Sequence, residues 1–499
     1  MNIPKSQKRV VVIGAGLGGL SAAISLACEG FAVQLLEKNG QVGGKLNVLR
    51  KEGFTFDLGP SILTMPHIFR RLFEQAGRNM EDYVAIQAVE PHWRNFFADG
   101  TVFDLTPEPV TMRRELQKLD DKSTAEFERF MAYSRRLGRA VEKGYFAKGL
   151  DGLGELLGHY GVLSSLWDFD VLRSMDQGVR RFISNPKLVD VLNYFIKYVG
   201  SSPYDAPALM NLLPYIQFEY GLWYVKGGMY GLAQAMQRLA RELGVEIRLN
   251  CEVERVDLKG DRAAAVCLRD GEVVPADIIV SNMEVIPAAR RLLQRSEQEI
   301  KALRRFAPSC SGLVMHLGVK RIYPQLAHHN FFYSEHPKRH FEAAFHQHRL
   351  SDDPTLYVVA PVKSDPGQAP EGCEIIKVLP HILHLDPDRP LRREDYLAFR
   401  ERVLDKLENM GLSDLRQQIV CEETWTPLDI ESHYYSNQGA IYGVVSDRFK
   451  NLGFKAPQRD RQLRNLYYVG GSVNPGGGMP MVTLSGMLAR DKILADLAR

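Results

Sequence analysis

The chain has 499 residues, room for two to four domains at ~150 residues each. It is 45% hydrophobic and 25% charged with no low-complexity tract, which excludes a disordered chain and a collagen-like fibre. Sixty-three basic against sixty acidic residues leave a net charge of +3, without the concentrated basic excess of a nucleic-acid binder. Attraction to an anionic membrane surface stays open. The six cysteines are widely spread and form no Cys-x-x-Cys, so neither a disulfide framework nor a structural zinc site is expected, and a reducing cytosol is the default.

Arg9-Val-Val-Val-Ile13 reads as a short buried strand, β-branched and stopped by glycine. Leu17 to Glu29 reads as a helix ended by Gly30, and Phe31 to Leu36 as a second strand ending at Glu37. This βαβ unit of ~30 residues predicts a parallel sheet. The uncharged run 10–28 after Lys5, Lys8 and Arg9 has the outline of a signal peptide. Gly14, Gly16, Gly18 and Gly19 break it, so the soluble βαβ reading is preferred to a membrane span.

Farther along, residues 108–195 carry helical periodicity and little strand character. Residues 193–224 are apolar and aromatic, broken by Pro203, Pro207 and Pro214. Lys226-Gly-Gly-Met229 opens a helix to about Leu243, and strands follow over 245–249, 253–258, 263–268 and 277–281. Residues 300–430 mix α and β. Leu466-Tyr-Tyr-Val469 is a strand, followed by a glycine-rich loop and a helix from about Met481. Strand, glycine loop and helix at both ends predict one α/β Rossmann-like nucleotide-binding domain assembled from discontinuous pieces, with a mixed helical and sheet domain inserted. The expected division is 1–75, 226–300 and 441–499 for the first domain, and 76–225 and 301–440 for the second.

Gly14-Ala15-Gly16-Leu17-Gly18-Gly19 contains Gly-x-Gly-x-x-Gly between a strand and a helix, with Glu37 about 20 residues on at the end of the next strand. Gly14 permits the turn, Gly16 lets backbone approach a pyrophosphate, and Gly19 lets helix and strand pack closely. Helix N–H groups stabilise the phosphates, and Glu37 accepts the ribose hydroxyls. Gly43-Gly44-Lys45 adds backbone access and a cation for a second part of the cofactor. The C-terminal Gly470-Gly471-Ser472 and Pro475-Gly-Gly-Gly-Met-Pro480 precede a helix that NAD enzymes do not need, so FAD is favoured.

The chain resembles, nearly end to end, the carotenoid oxidoreductase family of FAD-dependent desaturases and their relatives. The likeness runs through Gly53-Phe-Thr-Phe-Asp57-Leu-Gly59-Pro60, Phe195-Ile-Lys-Tyr-Val199, Ser281-Asn-Met-Glu284, Met315-His316-Leu-Gly318, Asn437-Gln-Gly-Ala-Ile-Tyr-Gly443 and the Gly470–Gly486 tail. Where desaturases usually carry His-Pro-Gly-Ala-Gly, this chain has Asn474-Pro-Gly-Gly-Gly, which fits the oxygenase branch. The resemblance implies an amine-oxidase-like fold and an FAD set of Val12, Ile13, Gly14, Ala15, Gly16, Leu17, Gly18, Gly19, Glu37, Gly43, Gly44, Lys45, Val253, Gly470, Gly471 and Met481. It implies oxidation of a terminal methyl group on a linear thirty-carbon carotenoid, 4,4'-diaponeurosporene, to the aldehyde with dioxygen. A carotenoid desaturase is the alternative, and a non-catalytic isoprenoid escort protein a further one.

No catalytic residue is assigned. His328, His329, His336, His340, His346 and His348 cluster in sequence, with Glu342 nearby, but without a fixed ligand spacing no metal is expected. Tyr215 to Tyr224 suits either a polyene tunnel or ordinary core, and Glu219 within it is a candidate acid or base only if buried. An insoluble substrate and the lack of a spanning segment predict a cytoplasmic protein held peripherally on the membrane, docking through 150–175 with Leu163, Leu166, Trp167 and Phe169.

Overall fold

Strand β1 (Arg9–Ile13) is central in a five-stranded, wholly parallel sheet. After it come helix α1 (Leu17–Cys28) and β2 (Ala32–Leu36), then, far along the chain, α2 (Gly231–Glu242), β3 (Glu246–Arg248), β4 (Ile278–Ser281), β5 (Leu466–Tyr468) and α3 (Met479–Leu497). The strand order is β5-β4-β1-β2-β3. The computed structural model describes residues 7–161, 169–170 and 172–498.

Because β1 has neighbours on both edges and cover on both faces, Val10 to Ile13 are all buried, which is why it reads as an unbroken apolar run. Helix α1 is buried continuously from Leu17 to Leu26, packed against the sheet, α2 and α3. A helix enclosed this way has no face for charge. Its hydropathy is therefore that of a core helix, and the signal-like run 10–28 is strand, glycine turn and helix. Helix α3 closes on α1 across the length of the chain: Ser21 Oγ donates to the Thr483 carbonyl at 2.6 Å, and Arg490 pairs with Glu29 at 3.2 Å.

The second sheet is mixed and eight-stranded. Its main order is Ile419–Trp425, Val314–Val319, Glu374–Ile382, Leu356–Val359, His329–Phe332, Trp93–Phe96, Val102–Leu105, and Ser311–Gly312 pairs with Glu374–Ile382. All its pairings are antiparallel except His329–Phe332 with Trp93–Phe96. The hairpin Trp93–Leu105, turned near Asp99-Gly100, and the hairpin Val48–Asp57 are strands that the sequence reading did not assign. These strands are four residues each, too short for alternation to stand out, and only the Asp-Gly pair marks a turn. Among the described residues no helix is long and apolar enough to cross a membrane.

Candidate functional site

One cavity of about 930 Å³ is lined both by the glycine turns of the parallel sheet and by apolar side chains such as Phe146, Leu209, Leu213, Ile216 and Leu379. Ile13, Gly14, Gly16, Leu17, Gly18, Glu37, Gly43, Gly44, Lys45, Val253, Gly470, Gly471 and Met481 all lie on its wall. Val12, Ala15 and Gly19 stand behind it. Val12 is a fully buried β1 side chain, and Ala15 lies under the turn with its N–H committed to Glu37. At Gly19 an added Cβ would come far closer to the Gly14 carbonyl oxygen than van der Waals contact allows, so the residue sets how closely α1 meets β1.

The wall fits an elongated dinucleotide cofactor. Helices α1 and α3 both begin on the cavity at a glycine, Gly16 and Gly478, with no side-chain cap and no acid in the first turn. Their first-turn N–H groups lack an intrahelical partner, and the positive ends of both dipoles face the same space. Cβ atoms on Gly16 and Gly18 would each come 2.6 Å from the Asn282 side chain, so the turn has no room for anything but backbone.

Glu37 is 5% exposed and held by two backbone donors, Ala15 N–H at 2.7 Å and Asn39 N–H at 2.9 Å. Burial raises its carboxyl above the ordinary range against the pull of those donors. Lys45 reaches Glu284 at 3.0 Å and the Ala440 carbonyl at 2.8 Å. Its charge is therefore partnered within the protein rather than free for a phosphate.

Several wall residues and supports were not singled out from sequence. Asn282, at the end of β4, lies under Gly14, Gly16, Gly18 and Gly470. Lys377 donates to the Asp57 carbonyl at 2.8 Å, to the Gly59 carbonyl and to Ser61 Oγ at 3.0 Å, fixing a wall segment. Burial lowers Lys377 to about 8 and raises Asp57 to about 6. Asn282 and Asp57 sit in short family-like motifs and Lys377 in none, and only the folded chain brings them to one surface.

Other expectations are corrected. Glu219 is exposed, so it is no buried acid or base. Of Tyr215 to Tyr224 only Ile216 and Gln217 line the cavity; Tyr215 and Tyr224 are core. Asn474 is fully buried and does not line the wall itself, but is hydrogen-bonded to two residues that do, Tyr145 and Lys455. Phe169 is 1% exposed and lines the cavity rather than a docking patch, while Leu163, Leu166 and Trp167 lie outside the described residues. His346 and His348 turn to different carboxylates, Asp205 at 3.0 Å and Asp386 at 3.7 Å. Among the described residues no three His, Cys, Asp or Glu side chains converge on a metal position.

Residues 17–494 match the model of the flavin containing amine oxidoreductase family. The chain is 72% identical over 490 residues to 4,4'-diapolycopene oxygenase of Methylomonas sp, covering 98% of this chain and 99% of the relative. It is 52% identical over 491 residues to 4,4'-diaponeurosporene oxygenase of Staphylococcus haemolyticus, with 98% of each covered. Among solved structures, wild-type putrescine oxidase bound to putrescine superposes with a TM-score of 0.64 at 15% identity, over 98% of this chain and 99% of that one. An oxidoreductase from Methanosarcina mazei gives a TM-score of 0.66 at 15% identity, over 97% and 100%. The cavity, its two uncapped helix N-termini and these likenesses agree: the chain belongs to the flavin-containing amine oxidoreductase family, as an FAD-dependent oxidoreductase of its carotenoid-oxidising group.

Proposed function

We propose that this enzyme oxidises a terminal methyl group of a linear thirty-carbon carotenoid to an aldehyde. Overall, R–CH3 and O2 give R–CHO and H2O, so dioxygen supplies the oxygen atom and takes up the four electrons. The observation that carries this reading is the 72% identity to a 4,4'-diapolycopene oxygenase over 98% of the chain. The 52% identity to a 4,4'-diaponeurosporene oxygenase keeps that polyene as a second candidate substrate.

In this reading the Gly14–Gly19 turn, Glu37, Gly43-Gly44, Val253, Gly470-Gly471 and Met481 hold FAD. When bound, FAD accepts electrons from the substrate and passes them to dioxygen. The apolar wall, with Leu209, Leu213, Ile216 and Leu379, takes the polyene and excludes water from the reacting end. Residues 1–75, 226–300 and 441–499 form the cofactor domain, and 76–225 and 301–440 the substrate domain. In support, the parallel sheet takes its strands from the first set and the mixed sheet from the second.

The same reading makes the protein peripheral on the cytoplasmic face of the membrane. Leu172, Phe449 and Leu452 are 81%, 78% and 56% exposed, yet all three border the cavity. Arg448 and Lys450 stand beside them. An apolar rim with flanking cations suits insertion among anionic headgroups, with the substrate passing directly from bilayer to cavity.

The test is incubation with 4,4'-diapolycopene or 4,4'-diaponeurosporene under heavy-isotope dioxygen, with reduction of the aldehyde during work-up to limit exchange with water. Heavy label in the oxygenated product is expected. Only more-desaturated hydrocarbons would return the assignment to a desaturase.

A further inference from the structure

Lys197 lies on the short helical turn Phe195–Tyr198 and is 5% exposed, with its side chain on the cavity wall. Four rings enclose its Nζ: Tyr357 at 4.1 Å, Tyr198 at 4.5 Å, and Trp93 and Phe331 at 5.0 Å. Among the described residues it forms no ion pair and no side-chain hydrogen bond, and burial is the one influence on its charge. A buried cation without an acid normally finds one or gives up its proton, and burial here holds the ammonium well below its ordinary value. The two tyrosine hydroxyls of the cage already have partners, and the neighbouring Trp93 Nε1, His329 Nε2 and Gln217 Nε2 are buried without one among the described residues. Tyr357 Oη is 2.9 Å from His329 Nδ1, and Tyr198 Oη donates to Gln217 at 2.6 Å. Lys197 is thus a polar group with unused hydrogen-bonding capacity in an otherwise apolar, aromatic pocket.

Its neighbourhood leads to the C-terminal glycine loop. The charge of Lys197 acts on His381 beyond the cage. The His381 ring stacks on that of Tyr442, centroids 6.0 Å apart, with Nε2 3.4 Å from the Tyr442 hydroxyl, and the Tyr442 carbonyl lies against Gly471 and Gly477. Tyr442 also lines the cavity. Lys197 therefore belongs to the part of the substrate space adjoining the loop assigned above to FAD, where the reacting chain end must lie.

A hydrocarbon end has nothing to offer an amine. Once the end carries oxygen, its hydroxyl or carbonyl must either remain bare in an apolar pocket, which is unfavourable, or find a partner. Resting on the carotenoid-oxygenase reading, we propose that Lys197 is that partner: its Nζ hydrogen-bonds the oxygen of a chain end already oxidised to alcohol or aldehyde, keeping the half-oxidised end in place for completion to the aldehyde. Lys197 thereby separates the first oxidation, of a bare methyl, from the second, of an oxygenated end.

The experiment titrates the FAD-loaded enzyme with a linear thirty-carbon polyene hydrocarbon, its terminal alcohol and its terminal aldehyde, following polyene absorbance, for wild type, Lys197→Met and Lys197→Arg. Methionine keeps the length and fills the cage. Wild type should bind the alcohol and aldehyde more tightly than the hydrocarbon. Lys197→Met should leave hydrocarbon affinity within about twofold, weaken both oxygenated ligands by about tenfold, and release more alcohol relative to aldehyde on turnover. Lys197→Arg should restore part of the discrimination. Equal losses for all three ligands, or unchanged affinities and product ratio, overturn the proposal and leave the oxygenase reading standing. If Lys197→Met fails to retain FAD, the wild-type titration decides alone: no preference for oxygenated ends overturns it. A wild type that takes up none of the three polyenes overturns the oxygenase reading and this inference with it.

Discussion

The Tyr145 hydroxyl donates to Asn474 Oδ1 at 2.5 Å, joining the helical turn Glu142–Phe146 to the loop that leads into α3. The same oxygen accepts the Lys455 N–H at 2.9 Å, and Asn474 Nδ2 donates to the Lys455 carbonyl at 3.3 Å. Asn474→Ala strands these buried groups together and should destabilise the protein by about 1–3 kcal/mol. Tyr145→Phe should cost less, about 0.5–1.5 kcal/mol, because Asn474 keeps its Lys455 partners. Denaturant unfolding of the two variants measures the difference; a larger loss for Tyr145→Phe would contradict it.

Glu37→Ala removes a buried acceptor from the Ala15 and Asn39 N–H groups and, in the proposed reading, from the ribose of bound FAD. The affinity for FAD should fall by about 1–3 kcal/mol in calorimetric titration of the apoprotein. Unchanged affinity would mean that Glu37 serves only the turn.

Lys455 is a pH-sensitive element of the wall. Its buried Nζ donates to the Val444 carbonyl at 2.6 Å and Ser446 Oγ at 2.7 Å, and burial lowers it from 10.5 to about 7. Between those values the unfolded chain binds a proton that the folded one does not, so this residue makes stability rise with pH from about 7 to 10.5, by at most about 1.4 kcal/mol per unit. The contribution is full above 10.5 and lost as pH falls through about 7. Relative to Lys455→Met, the wild type should gain stability across that window; parallel denaturation midpoints from pH 7 to 10 would refute it.

The apolar rim should govern membrane attachment. Serine at Leu172, Phe449 and Leu452 together should move the protein from floated anionic liposomes to the soluble fraction, each side chain contributing up to about 1.5–3 kcal/mol of burial. Salt alone should release only part of the wild type, because apolar insertion is not screened. Flotation unaffected by the triple substitution would place the contact elsewhere.

Gly19→Ala should lower the melting temperature and the FAD content of the purified protein together. The added methyl meets the Gly14 carbonyl, a backbone atom of the cofactor turn that cannot swing aside, at a cost of about 1–3 kcal/mol. Normal FAD content at a normal melting temperature would show that α1 can shift without disturbing the turn.

The β1–α1–β2 unit with Glu37 at its end was determined by the sequence alone, because every interaction that defines it lies within about thirty residues. Strand, glycine turn and helix each leave a local mark in branching, backbone freedom and period. The start of α3 and the strands of 245–281 were equally plain for the same reason. Which groups share the cavity was decided only in three dimensions. Asn282 under the glycine turn, Glu284 on Lys45, Tyr145 on Asn474 and Lys197 in its aromatic cage are contacts across long stretches of chain, several made by loops or single turns without periodicity. Sequence pattern marks a face as apolar but not what that face meets. For that reason the aromatic run Tyr215 to Tyr224 divided between core and cavity, and the enclosure of α1 by the sheet, α2 and α3 turned a membrane-like hydropathy into the centre of a globular domain.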